Sequence, residues 1–172
     1  MRALLLYARS RQVPASALAA VVCCLLVRVV TPSAPDPRWP ALAITAAVCA
    51  LATGLSGQDA DLDRTAAWPW PLYRLGHVAA ITVVAVVLVA GTAPLPFVLR
   101  GCIGMAGLAA LGAAFFGGHL AWPLPCAAFA VTFFTDSWLV APPDSVQAGV
   151  VMVAFGVAGT AVYVLFQPAL NL

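Results

Sequence analysis

GQDADLDRTAAWPWPLYRLGH, Gly57 to His77, is the one long polar break in an otherwise apolar chain. It holds three of the six Asp residues, two of the eight Arg and two of the five Trp. The sequence on both sides reads as helix of membrane-spanning character, which makes this stretch a connection between spans and the main surface offered to water. A helix must supply the spans, because hydrocarbon leaves no partner for free backbone groups.

Composition points the same way. The 172 residues are 63% hydrophobic and 8% charged, where soluble domains carry about 25% charged residues. Lys and Glu are both absent. A P-loop needs its Lys to reach the phosphates, and the H-E-x-x-H zinc motif needs its Glu, so neither is encoded here. A net charge of +2 with no basic patch beside interleaved aromatics gives no footprint for nucleic acid. Cys23, Cys24, Cys49, Cys102 and Cys126 all fall inside apolar runs without C-x-x-C spacing. That pattern suggests neither a zinc site nor a disulfide framework, and such residues pack as small apolar groups. The sequence implies no metal and no cofactor.

Working outward, the chain reads as a single transmembrane domain, residues 1–172, an all-α polytopic bundle of about six spans. Residues 1–12 combine Arg2, Arg9 and Arg11 with Leu4, Leu5, Leu6 and Tyr7, the makings of an amphipathic helix lying at the headgroups. A signal peptide is the competing reading, but Arg28 interrupts the apolar run. The expected spans are Ala15–Val30, Trp39–Leu55, His77–Gly91, Phe97–Phe116, Ala121–Val140 and Ser145–Phe166, each near the roughly 20 residues that cross about 30 Å of hydrocarbon, with the first three short and extending into their flanks. Pro residues cluster at their ends, and Trp39, Trp68, Trp70, Trp122 and Trp138 fall at expected interfaces. Gly101, Gly104, Gly107 and Gly112 make the fourth span rich in small residues, and Gly156 and Gly159 do the same on the sixth. Close helix packing, inside the bundle or between subunits, follows. Five Arg on the N-terminal side against three on the other place both termini in the cytoplasm and residues 57–76 in a cytoplasmic loop.

Two groups of residues invite a chemical role. Asp59, Asp61 and Asp63 open like an EF-hand, but Arg64 and Trp70 stand where Gly and the bidentate Glu belong. Asp59 and Asp63 also resemble half of the magnesium-diphosphate site of membrane prenyltransferases, with no second half in the chain. The plain reading is a short interfacial helix that opens at Ser56 and Asp59, pairs Asp61 with Arg64, and ends at Trp68-Pro69-Trp70-Pro71. Arg100 and Asp136 lie a few residues inside the same ends of the fourth and fifth spans. A charge at a helix centre costs about 2.5–3.5 kcal/mol, so each must snorkel or find a partner; the two can serve each other, and contact with a substrate is the alternative.

In layout the chain resembles the permease subunits of type-2 ABC exporters, especially small actinobacterial ones. The likeness rests on the basic amphipathic start, six spans, the first inner loop DADLDRTAAWPWPLYRLGH and the fourth-span opening LRGCIGMAGLAALGAAFFGGHLAW. It implies an integral permease in the cytoplasmic membrane, not itself an enzyme, that moves a substrate with a separate ATP-binding subunit and a second permease chain. Asp59, Asp61, Asp63 and Arg64 would then lie on or beside the loop that docks on the ATPase. A non-transporting scaffold or immunity protein, or a membrane enzyme using Asp59 and Asp63, is the alternative.

Overall fold

Helix carries the whole architecture of the computed structural model, which describes residues 13–30, 36–55, 70–135 and 137–165. The elements are α1 (Val13–Val30), α2 (Arg38–Ala52) with a closing 3-10 turn at Thr53–Leu55, α3 (Trp70–Val89), α4 (Leu95–Phe116), a 3-10 turn at Gly118–Leu120, α5 (Pro123–Val131) and α6 (Val146–Leu165). Four segments are long and apolar enough to cross a membrane: Arg38–Leu55, Pro71–Val89, Leu95–Phe116 and Val146–Leu165. The helix over Pro14–Val30 is apolar but shorter. The expected interfacial helix at residues 1–12 lies outside the described residues.

The bundle is built around α4. Its spanning segment is 83% buried, against 22% for those of α3 and α6, so the small-residue helix is the axis and the Val-rich helices form its outer walls. The tightest crossing is between α4 and α6. A methyl group on Gly107 would overlap the backbone of Phe155 and Gly156, and one on Gly159 would overlap the carbonyl of Gly107. Only hydrogen in place of Cβ lets the two backbones approach this closely. Outward, α3 shows Leu72, Val83 and Val87, and α6 shows Val146, Val150 and Val157.

Two of the expected boundaries change. The helix α3 starts at Trp70 rather than His77, taking in the end of the stretch read as a loop. Pro71 sits in its first turn, where a missing N–H costs nothing, so Pro there opens a helix rather than ending one. The larger difference is the fifth span. A continuous helix over Ala121–Val140 is replaced by the nine residues of α5, followed by turns.

The break coincides with a run of small hydroxyl side chains after Val131. Thr132 donates its hydroxyl to the Phe129 carbonyl at 2.7 Å, and Thr135 donates to Val131 at 3.3 Å. Phe133 and Phe134 close i to i+3 turns on Ala130 and Val131 at 3.2 and 3.0 Å. Farther on, Ser137 accepts from the Leu139 N–H at 3.5 Å. The turns and the Ser137 contact take backbone groups out of the helical ladder, while the Thr contacts match those that Thr45 and Thr82 make inside the intact α2 and α3. Trp138 and Leu139 then turn inward, the Trp138 ring lying over Gly104 and 6.0 Å from the Phe155 ring. Trp138 is therefore a packing residue rather than part of an interfacial belt.

Candidate functional site

The break in the fifth segment matters because of what it meets. Arg100 lies in the second turn of α4 and is only 4% exposed. Its guanidinium donates to the Pro142 carbonyl at 2.7 Å through one terminal nitrogen and to the Ala141 carbonyl through the other. Its carbon lies 5.5 Å from the Phe97 ring centroid, one turn earlier on the same helix. The remaining donor, Nε, is buried and has no hydrogen-bond partner among the described residues. Pro142 and Pro143 begin the turn that closes with the Ser145 N–H on the Pro142 carbonyl at 3.1 Å. The planar fork of an Arg suits two adjacent carbonyls, and it ties the irregular chain to the central helix.

Beside this tie lies a cavity of about 460 Å³. Trp39 and Pro40 from α2, Phe97 from α4, Thr92, and Ala141 with Pro142 form much of its wall, and Asp36 stands on its polar side. Asp36 accepts the Arg38 backbone N–H at 2.9 Å, which fixes the start of α2. A second cavity of about 360 Å³ shares Trp39, Pro40 and Thr92 and adds Arg28 of α1. Arg28 donates to the Ala90 carbonyl at 3.0 Å, and the Arg38 guanidinium lies 5.6 Å from the Phe133 ring centroid. Three guanidinium groups thus gather at one end of the bundle, each held by carbonyls or a ring. Apolar walls with a few oriented polar groups suit a small amphipathic ligand better than a bare ion.

At the opposite end Arg74 donates to the Tyr163 carbonyl at 3.4 Å and lies 5.6 Å from the Tyr163 ring centroid. The Tyr163 hydroxyl donates to the Leu55 carbonyl at 3.3 Å, joining α3 and α6 to the end of α2. His119 is exposed in the 3-10 turn at this end. Among the described residues no three His, Cys or carboxylate groups gather where they could hold a metal.

Of the residues singled out from sequence, Asp59, Asp61, Asp63, Arg64 and Asp136 lie outside the described residues. Arg100 is buried as a charged residue in need of partners, and its described partners are backbone carbonyls. Those acceptors carry no side-chain signature; the Pro142-Pro143 turn downstream of a lone span Arg was the available hint. Sequence reasoning also missed a thiol pair, Cys49 and Cys126, which sit 77 positions apart with Sγ atoms 3.7 Å from each other.

Among the described residues the bundle is all-helical, with four helices of membrane-spanning length and composition. Comparison with protein-family models, curated proteins and solved structures returns no match to any of them.

Proposed function

We propose that the chain is the permease subunit of an ABC-type exporter in the cytoplasmic membrane, energised by a separate ATP-binding subunit and completed by a second permease chain. The observation that carries this reading is the interrupted fifth segment, gripped by buried Arg100 beside the cavity of about 460 Å³. Irregular backbone at membrane depth is tolerated where it is buried in protein or lines a cavity. Secondary transporters place substrate sites at discontinuous helices, and the same use of irregular backbone is proposed here. The cavity between α2, α4 and the Ala141–Pro142 turn is then a substrate site or gate for a small amphipathic molecule. The chain encodes no P-loop, so energy comes from another polypeptide.

The docking surface in this reading is the polar stretch containing Asp59, Asp61, Asp63 and Arg64. Photocrosslinkers placed singly from positions 59 to 66 in native membranes are expected to capture an ATP-binding protein. Reversing Asp61 and Asp63 is expected to weaken the capture and leave membrane insertion unchanged. Capture of no ATP-binding protein by a chain that still functions in its host rejects the reading.

A further inference from the structure

We infer that Cys49 and Cys126 form a dithiol site that a two-electron oxidant converts to a disulfide, tying the start of α5 to α2. Cys49 lies near the end of α2, and Cys126 is the fourth residue of α5. Their sulfurs are in contact at 3.7 Å, and either thiol is placed to donate to the other. Cys49 also donates toward the Trp122 carbonyl at 3.7 Å, the same carbonyl that accepts the Cys126 backbone N–H at 3.1 Å. One carbonyl therefore holds both residues in register. Cys24, by contrast, directs its thiol at the Ala43 carbonyl, 3.9 Å away.

Contact between two sulfurs on different helices is the geometry from which a disulfide of about 2.05 Å forms with small side-chain rotations. Both residues are half-buried rather than sealed, and the adjacent Trp122 is 48% exposed. Oxidation breaks two S–H bonds and makes one S–S bond. Two electrons and two protons pass to the oxidant, reducing a quinone to its quinol or hydrogen peroxide to two waters. The bond would act on the least regular part of the bundle, because α5 leads directly into the turns that end on Arg100.

The test uses the full chain in lipid nanodiscs, treated separately with hydrogen peroxide and with a short-chain quinone, then denatured and titrated with a maleimide. The wild-type chain, with five thiols, is expected to fall to three under at least one oxidant, stay monomeric on a non-reducing gel, and return to five with dithiothreitol. The two arms identify which oxidant class reaches the site. In Cys102→Ala protein, a reducible tryptic link between residues 39–64 and 101–172 identifies the bond, since each peptide then holds one Cys. Cys49→Ser and Cys126→Ser should each abolish that link. Two thiols that stay titratable under both oxidants at doses that oxidise glutathione overturn the inference, as do links found only between chains.

Discussion

Arg100 is the costliest side chain in the described bundle, and its neighbours explain why it is tolerated. A guanidinium costs up to about 2.5–3.5 kcal/mol at the centre of a spanning helix and less near its end, where Arg100 lies, and hydrogen bonds from a charged donor return about 1.5–3 kcal/mol each. Two such bonds, to Ala141 and Pro142, offset the burial and hold the irregular segment in place. Arg100→Met should therefore lower stability by about 1.5–3 kcal/mol, because it removes the charged donor that ties both carbonyls to α4. Arg100→Lys should recover only part of the loss, since one ammonium lacks the planar fork. Reversible unfolding in mixed micelles reads both, and a Met variant as stable as wild type would show that the guanidinium does not hold the turn. The need for a partner was legible in the sequence. The identity of the described partners was not, because a backbone carbonyl looks the same at every position.

At the scale of elements, α4 is the helix whose role was plainest from composition. Its glycines predicted close packing, and the crossing on α6 places Gly107 against the Phe155–Gly156 backbone and Gly159 against the Gly107 carbonyl. Gly107→Ala should cost about 3 kcal/mol, as overpacking against rigid backbone does. Gly149→Ala on α6, where a methyl group meets open space, should change stability by less than about 0.5 kcal/mol. The same micelle measurement separates them, and equal effects would mean the crossing is looser than its geometry. The fifth segment was the least legible element. Apolarity summed over Ala121–Val140 satisfies a spanning helix, but the sum does not register how Thr132, Thr135 and Ser137 engage the backbone locally. Helix α3 extends into its flank as its short apolar run required, but through Pro71, which with Pro69 read as an ending although it is at home in a first turn.

For the whole molecule, the contacts fix which helix ends lie together. Arg28 of α1, Trp39 of α2 and Gly91 after α3 share one cavity, so these ends meet at the Arg100 side. Leu55, Arg74 and Tyr163 meet at the other. The chain therefore alternates direction through α1, α2, α3 and α4. Its fifth passage is made by α5 and the irregular segment together, from the neighbourhood of Cys49 to that of Arg100. This arrangement sets the end of α1 and the start of α2 at one end of the bundle, and the end of α2 and the start of α3 at the other. In the proposed orientation the Arg74 end faces the cytoplasm, because the Arg cluster at residues 2–11 with Arg64 and Arg74 outweighs Arg28, Arg38 and Arg100 by five to three. In a Cys-free background, Pro35→Cys should react with an impermeant maleimide on intact cells. Ala60→Cys should react only after permeabilisation. The reverse pattern would keep the bundle and invert its orientation, leaving residues 59–66 unable to reach a cytoplasmic ATPase. Labelling of both positions from one side would be more damaging, because it would contradict the antiparallel passage of α2 between them.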